Sequence, residues 1–368
     1  MIDIPFLKKF SLPKISLGIL TGRTSQIAGV DIGMYSTKVV QLRYEKERAI
    51  LENYGELLNE RYFKGKGGIG GGFLRYSDND IAEIIKDLFT ESKITAQEIV
   101  FSLPAASGFV VKITLPKISP REVQSAIPFE ARKYIPIPMS EVVLDWDLLP
   151  SDQRDVTEVL LVAVPREAVE KFKRVAAIAH IRIRALEIET FSLARSLIAH
   201  DPTPTAIISI GHYDTSLAIV DQVKLRVSHH FDRGCHELTK ALERGLNVNI
   251  ERAEQIKQDI GLGERVEDKE ITSILTPFLQ TLMSEIDRVV DVYNRKAARK
   301  VQKINLTGGG SQLKGIVEFA ATHFGIEVTK GNPFARVVSP AFMQPVLRQI
   351  GPAFSIATGL ALHEITAR

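Results

Sequence analysis

The chain contains 368 residues, of which 45% are hydrophobic, and it carries a formal net charge of +3. One core rarely accommodates this much apolar material, so at least two domains are expected. A single cysteine, Cys235, excludes an internal disulfide framework, and the near-neutral charge argues against a nucleic-acid partner. No uncharged run reaches the roughly 20 apolar residues of a membrane-spanning helix.

Residues 1–26 form a basic and apolar N-terminal arm. Its charged residues are Asp3, Lys8, Lys9, Lys14 and Arg23, and its net charge of +3 equals that of the whole chain. Such a segment favours peripheral contact with an anionic membrane surface, and a plain flexible extension interrupted by two prolines is the alternative. The lysines would interrupt the apolar stretch of a secretory signal.

A repeat divides the rest of the chain. Residues 27–44, IAGVDIGMYSTKVVQLRY, alternate like two strands around a glycine turn and predict a β-hairpin. Residues 205–222, TAIISIGHYDTSLAIVDQ, align with them at a constant offset that places Gly33 on Gly211 and Thr37 on Thr215. Two such hairpins predict two related α/β domains that face each other across a cleft.

The elements between the two hairpins indicate the domain limits. Residues 77–89 predict a capped amphipathic helix and residues 99–103 a strand, which complete a first unit over 27–109. Residues 110–185 read as strand, helix, strand, strand, helix, the pattern of a small α+β module inserted into the first domain. Residues 186–200 and a closing helix at 351–365 return to the first domain, and residues 201–350 form the second.

The glycine turns carry the predicted chemistry. Phosphate groups need backbone N–H donors at close range, and glycine permits this because it lacks a Cβ. Gly33 suits that role, and Asp31 beside it would hold Mg²⁺ through water. Ser36, Thr37 and Lys38 add donors for the β- and γ-phosphates.

These features resemble the actin, Hsp70 and sugar-kinase superfamily, and within it the PilM family of type IV pilus assembly proteins, from about Ile27 onward. The segments VKITLPKISPREVQSAIPFEARKYIPIP and GPAFSIATGLAL are typical of that family. The resemblance implies an α/β, actin-like (ribonuclease H-like) fold with two related domains around a nucleotide cleft. ATP or ADP and Mg²⁺ are the implied cofactors.

The resemblance also implies roles for individual residues. It places Asp31, Gly33, Ser36 and Lys38 in a first phosphate motif, Gly211 and Thr215 in a second, and Thr307, Gly308, Gly309 and Gly310 in an adenosine motif. Glu254 and Lys257 fall where relatives contact ribose and adenine. An ordinary ion pair between residues three apart on a solvated helix is the alternative for that pair.

One departure from the family pattern concerns catalysis. The second phosphate motif normally begins with aspartate, and here Ser209 takes that position. Phosphoryl transfer depends on such charges for positioning, so tight nucleotide retention with at most slow hydrolysis is expected. A true small-molecule kinase or ATPase, with Asp214 as the substitute carboxylate, is the rival hypothesis, and an FtsA-like cell-division protein is another.

The resemblance implies a partner as well. The short cytoplasmic N-terminal peptide of PilN would bind in a groove between the inserted module and the first domain, as an extended segment that is disordered when free. The protein is then expected in the cytoplasm at the inner face of the inner membrane, with other pilus components. The module serving only to stiffen the first domain is the alternative.

Overall fold

The computed structural model describes residues 25–45, 48–63, 76–151 and 155–363. All but the last two residues of the predicted N-terminal arm lie outside these ranges, so the membrane contact of the arm stays a prediction. Among the helices within these ranges, none combines the length and the apolar character needed to cross a bilayer.

The described residues form 13 strands and 11 α-helices. The strands are β1 (Ser25–Ile32), β2 (Ser36–Glu45), β3 (Arg48–Leu58), β4 (Glu98–Leu103), β5 (Phe109–Pro116), β6 (Val142–Leu149), β7 (Val156–Pro165), β8 (Arg182–Ile188), β9 (Thr205–Ile210), β10 (Thr215–Asp221), β11 (Lys224–Phe231), β12 (Lys303–Thr307) and β13 (Glu327–Lys330). The helices are α1 (Glu60–Phe63), α2 (Asp78–Glu91), α3 (Pro120–Ala131), α4 (Arg166–Ala179), α5 (Glu189–Leu197), α6 (Cys235–Leu246), α7 (Ile250–Asp259), α8 (Lys269–Lys296), α9 (Ile316–Phe324), α10 (Gln344–Ile350) and α11 (Ser355–Ala361).

Two five-stranded sheets share one topology. The first has the order β3-β2-β1-β4-β8 and the second the order β11-β10-β9-β12-β13. In each sheet three antiparallel strands are followed by two strands parallel to the central one. The duplication predicted from the two hairpins therefore extends to whole sheets.

The two predicted hairpins match in register as well as in order. Ile32 pairs with Thr37 in the first hairpin, and Ile210 pairs with Thr215 in the second. Each turn is closed by the same hydrogen bond, from the Gly33 N–H to the Ser36 carbonyl (3.1 Å) and from the Gly211 N–H to the Asp214 carbonyl (2.8 Å). The glycine turns are thus equivalent positions of one repeated unit.

Helices α2 and α4 cover one face of the first sheet. The side chain of Ser77 accepts the N–H of Asp80 and caps α2, and the apolar residues of α2 recur at helical spacing so that they face the sheet. In α4, Phe172 packs against Phe101 of β4 at 5.3 Å between ring centroids. This face forms the main core of the first domain.

The three-stranded sheet β5-β7-β6 and helix α3 form a separate layer. A capping box between Ser119 and Glu122 starts α3, and Val123, Ile127 and Ala131 bury its apolar side against the sheet. The helix ends at Ala131.

The end of the predicted module at residue 185 falls inside β8. That strand pairs in parallel with β4 of the first sheet, from Arg182 with Glu98 to Ile188 with Leu103. Helix α4 packs on α2 in the core of the first domain, and Val162 and Val164 of β7 belong to the same cluster. Parallel pairing across about 80 intervening residues leaves no local sequence signal. The end of the predicted second domain at residue 350 also needs correction, because Phe334 and Leu347 are buried in one cluster with Val40 and Leu42 of the first sheet. The division into domains otherwise stays a prediction.

The closing segment of the chain joins both sheets. The Thr307 hydroxyl at the end of β12 donates to the Pro352 carbonyl (2.9 Å), and the Gly308 N–H donates to the same oxygen (3.0 Å). Nine residues later, the Ala361 carbonyl accepts the hydroxyl of Tyr44 on β2 (2.5 Å). Residues 351–361 therefore connect the second sheet to the first.

Glycines allow α11 to lie at backbone contact distance from its neighbours. A Cβ on Gly359 would overlap the carbonyl of Ser192 in α5, and a Cβ on Gly29 of β1 would overlap the carbonyl of Ala357. Because neither glycine has a side chain, the backbone of α11 can approach those of α5 and β1 closely. The small residues of this apolar helix are therefore a packing requirement.

Replacing Gly359 with valine should destabilise the protein by about 3 kcal/mol or more, because the new atoms would force α11 away from α5. The midpoint of guanidinium denaturation would measure the loss. Gly309→Ala is the matched control: no atom lies within 4 Å of its added Cβ, so its stability should change by less than about 0.5 kcal/mol. Equal midpoints for the two variants would contradict the packing argument.

Candidate nucleotide site

The two glycine turns face each other across the domain boundary. The ring of Tyr35 in the first turn stacks on the ring of His212 in the second, with centroids 4.3 Å apart. Tyr213 and His236 surround His212 at 4.5 and 5.2 Å. Burial lowers the pKa of His212 to about 4, so this ring cluster is uncharged near neutral pH.

Asn59 fixes the first turn. Its Nδ2 donates to the Gly33 carbonyl (2.7 Å), its backbone N–H donates to the Tyr35 carbonyl (2.9 Å), and its Oδ1 accepts the Thr37 hydroxyl (2.9 Å). Thr37, predicted as a phosphate donor, is fully buried and already donates to protein. In this arrangement it orders the turn.

The second turn is held in a similar way by the segment before α6. The Thr215 hydroxyl donates to the Arg233 carbonyl (2.8 Å), and the N–H of Cys235 donates to the Gly211 carbonyl (3.0 Å). Gly234 lies so close that an added Cβ would stand 2.6 Å from the His212 carbonyl. Thr215, like its counterpart Thr37, therefore serves the turn itself.

Lys38 lies beside the first turn and is mostly buried. Its Nζ donates to the Ser36 hydroxyl oxygen (2.6 Å) and forms an ion pair with Glu56 (3.2 Å). The two predicted phosphate donors Ser36 and Lys38 are thus brought together. The positive charge of Lys38 opposes the effect of burial, which raises the pKa of Asp31.

Three carboxyl groups lie between the domains: Asp31 and Glu189 are buried, and Asp214 is partly exposed. Asp31 accepts the Ser102 hydroxyl (2.8 Å). One oxygen of Glu189 accepts the Ala105 N–H (3.1 Å) from the first domain and also the Ser216 hydroxyl from the second. Glu189 therefore bridges the two domains.

Burial dominates the ionisation of all three groups. It raises the pKa of Glu189 to about 8, and repulsion from Asp214 adds to the increase. Burial likewise raises the pKa of Asp31 and that of Asp214. Within the described residues, no cluster of three or more His, Cys, Asp or Glu side chains is arranged to hold a metal directly.

The predicted adenosine motif follows β12 as a tight turn. Gly308 adopts φ +77°, and a Cβ there or on Gly310 would overlap Ile210 of β9. Gly309 differs, because the position of its Cβ has no atom within 4 Å. Two of the three glycines are required by packing, and the middle one borders open space.

Glu254 and Lys257 form the ion pair that the sequence allowed, with 2.7 Å between Lys257 Nζ and Glu254 Oε2. Further hydrogen bonds to the protein hold this pair, unlike an ordinary ion pair on a solvated helix. Lys257 also donates to the hydroxyl of Thr239 (2.8 Å) and to the carbonyl of Cys235 (3.4 Å), and it is almost fully buried. Both residues lie on α7, near the segment that supports the second turn.

With this geometry in place, comparison with known proteins identifies the family. The family described as type IV pilus assembly protein PilM matches residues 29–365. This chain belongs to the PilM family. Among solved structures, one described as the PilM-PilN type IV pilus biogenesis complex has a TM-score of 0.79 at 23% identity, covering 92% of this chain and 98% of that one.

More distant relatives agree on the fold. MreB5 of Spiroplasma citri bound to AMPPNP has a TM-score of 0.54 at 12% identity, covering 93% of this chain and 96% of that one. The cell division protein FtsA of Rhizobium meliloti is 26% identical over 223 residues, 54% of this chain and 49% of FtsA. The chain spans about half the length of the curated relatives it matches first. The predicted actin-like fold is confirmed.

Sequence reasoning missed several residues of this PilM-family site. Asn59 and Ser102 follow or end strands of the first sheet, and only tertiary structure shows that they contact Gly33 and Asp31. Glu189 was missed because the module boundary predicted at residue 185 divides β8, the strand that ends one residue before it. A charged residue directly after an apolar strand was the available signal.

The raised pKa of Glu189 predicts a pH dependence of stability. A carboxyl group with a higher pKa in the folded state stabilises fully below its unfolded pKa, near 4.5, and this contribution is lost as the pH rises towards about 8. Glu189→Gln keeps an acceptor for Ala105 but cannot ionise. The variant should therefore lose less stability than wild type between these pH values.

Denaturation midpoints measured across this pH range would test the prediction. Glu327→Gln, an exposed change on β13, is the control and should follow wild type. Parallel curves for wild type and Glu189→Gln would show that Glu189 ionises normally.

Proposed function

We propose that this PilM-family protein is a nucleotide-binding scaffold of the type IV pilus assembly machinery, with Mg-ATP or Mg-ADP between its two domains. The observation that carries the nucleotide part is the pair of equivalent glycine turns, identical in register and facing each other across the boundary. The two MreB5 structures, described as bound to AMPPNP and to ADP, support it by analogy.

The residues present fit such a ligand. The open space at Gly309 would accept the adenosine portion beside the anchored Glu254–Lys257 pair. Lys38 and the backbone of the turn at Gly33 would hold the phosphates, and Asp31 would hold Mg²⁺ through water. The stacked rings of Tyr35 and His212 must part for phosphates to lie between the turns.

Hydrolysis is expected to be slow. Ser209 occupies in the second hairpin the position that Asp31 occupies in the first, so one of two equivalent carboxylates is missing. Burial raises the pKa of Asp214, the substitute carboxylate of the rival hypothesis, and that of its neighbour Glu189. With a pKa of about 8, Glu189 is largely protonated at neutral pH and is a poor proton acceptor. Binding without efficient turnover suits a scaffold better than a kinase.

Gly309→Val should weaken Mg-ATP binding by at least about tenfold, because its side chain would fill the open space. Asp31→Asn should weaken binding mainly in the presence of Mg²⁺. Calorimetry would measure both affinities, with Glu327→Gln as the control.

Wild-type protein given Mg-ATP should release phosphate more slowly than ~1 per second, the low end of ordinary enzymes. Unchanged affinity in both variants would contradict the proposed cleft, and faster turnover would contradict a scaffold with slow hydrolysis.

The inserted module is bonded to the second domain as well as covalently joined to the first. Lys224 on the β10–β11 hairpin forms an ion pair with Asp147 of β6 (2.6 Å), and Arg226 donates to the Pro150 carbonyl (3.0 Å). Leu149 and Leu160 of the module share a buried cluster with Leu225 of the second domain. A module that only stiffened the first domain would not need these contacts.

A cavity of about 270 Å³ lies where the three parts meet. It is lined by Ala105, Ala106, Gly108, Phe109, Val110, Val111, Tyr134, Ser228, His229 and His230. Strands β5 and β11, which flank it, each lie at the edge of a sheet, and edge strands can pair with an extended peptide. We assign this groove to the N-terminal peptide of PilN, the protein named in the solved PilM-PilN complex.

Tyr134→Ala should weaken binding of a synthetic PilN N-terminal peptide by at least about fivefold, because an aromatic wall of the groove is lost. Phe129→Ala is the matched control, since Phe129 is also an exposed aromatic of this module but does not line the cavity. Fluorescence anisotropy of labelled peptide would measure both. Equal losses in the two variants, or no saturable binding to wild type, would count against this groove.

With PilN and other pilus components as partners, the protein would lie at the cytoplasmic face of the inner membrane. An FtsA-like role in cell division is the weaker candidate. The PilM family matches residues 29–365, whereas FtsA of Rhizobium meliloti matches 54% of the chain at 26% identity and FtsA of Enterococcus hirae 83% at 21% identity.

A further inference from the structure

An exposed apolar surface lies on the edge of the first domain, away from the residues assigned to the nucleotide and the peptide. It consists of Val338, Phe342 and Val346, here termed the Phe342 patch. Phe342 is 82% exposed, and Val338 and Val346 are each 49% exposed. Such a concentration of large apolar side chains on a surface usually marks a contact with another body.

The patch is presented by a rigid base. Phe342 and Val346 are four residues apart in the short helical segment that ends in α10, so they share one side of it. On the opposite side, Leu347 is fully buried in a cluster with Phe334 and Phe354. The exposed side chains are therefore held outward by packing beneath them.

The charges around the patch indicate whether a lipid bilayer or a second copy of the chain would cover it. From Val328 to His363 the sequence contains no aspartate or glutamate, whereas it contains Lys330, Arg336 and Arg348. Arg348 is exposed beside Val346. Across the neighbouring strands, Arg43 binds both Glu45 and Glu52 (2.9 Å each), so its single charge offsets one of these two carboxylates. The segment that carries the patch is itself basic, and Arg348 is its exposed charge at the patch.

The N-terminal arm leaves the fold close to this patch. Ser25 pairs with Tyr44, Tyr44 pairs with Ala49, and the Ala49 carbonyl accepts the N–H of Val338 (2.8 Å). Three lateral steps of about 4.8 Å each separate Ser25 from Val338, roughly 14 Å, which four or five extended residues would span. The N-terminal arm, which is also basic and apolar, therefore begins beside the Phe342 patch.

We propose that the Phe342 patch is a membrane-contact surface that inserts its apolar side chains among the lipids of an anionic bilayer, with Arg348 at the headgroups. A basic rim with exposed phenylalanine suits lipid, which supplies both negative headgroups and an apolar interior. A second copy of the chain fits less well, because the segment 328–363 that carries the patch has no carboxylate to pair with Arg348 of the other copy. The inference is independent of the nucleotide and peptide assignments.

Sedimentation of the full chain with vesicles tests this surface. Wild type should bind vesicles of phosphatidylcholine with phosphatidylglycerol, bind pure phosphatidylcholine vesicles much more weakly, and lose binding at high salt. Phe342→Glu should lower the affinity for the anionic vesicles by at least about tenfold, and Arg348→Glu should lower it as well. Val266→Glu is the matched control, since Val266 is a 77% exposed apolar residue of the second domain.

The outcomes separate the possible occupants. Equal binding by Phe342→Glu and Val266→Glu, with both folded by their denaturation midpoints, would overturn the proposal. So would loss of all binding on deletion of residues 1–24 while Phe342→Glu binds as wild type, because the arm alone would then suffice. A wild-type dimer that Phe342→Glu converts to a monomer would instead assign the patch to a second copy.

Discussion

Residues 351–361 impose the constraint on which the two-domain arrangement depends. At one end, the carbonyl of Pro352 accepts two hydrogen bonds from the turn that follows β12 in the second sheet. At the other end, α11 packs on β1 and α5 at distances that only Gly29 and Gly359 permit. The glycine turns can face each other in a fixed relation because one short segment is attached firmly to both sheets.

Much of the fold could be predicted because its signals are local. The two hairpins alternate apolar residues around glycine, and the helices carry caps and apolar faces, so their positions agree with the structure to within a few residues. The duplicated hairpin pointed to two domains because a repeat is itself a sequence signal. The place of β8 was not available in this way, since its partner β4 lies about 80 residues earlier.

In the candidate site, too, the residues with a local sequence signal could be predicted and those that act through long-range contacts could not. The glycines of the turns stand out by their spacing, whereas the Glu254–Lys257 pair was implied by the family resemblance; the structure places both near the domain boundary. The sequence suggests that the hydroxyls of Thr37 and Thr215 donate to a ligand, but each already donates a hydrogen bond to a neighbouring protein acceptor. Asn59 and Glu189 act through contacts with residues 26 and 84 positions away, which no local pattern encodes.

The attachment of α11 to β1 also bears on how the protein folds during synthesis. Ile27, Val100, Ala185 and Leu360 form one buried cluster, and its last member follows the first by more than 300 residues. The first sheet would therefore leave the ribosome with one apolar face uncovered, and it would stay so until α11 emerged. Long-range contacts of this kind form slowly, and intermediates that lack them expose apolar surface and aggregate. We therefore expect chaperones to bind the first domain during synthesis.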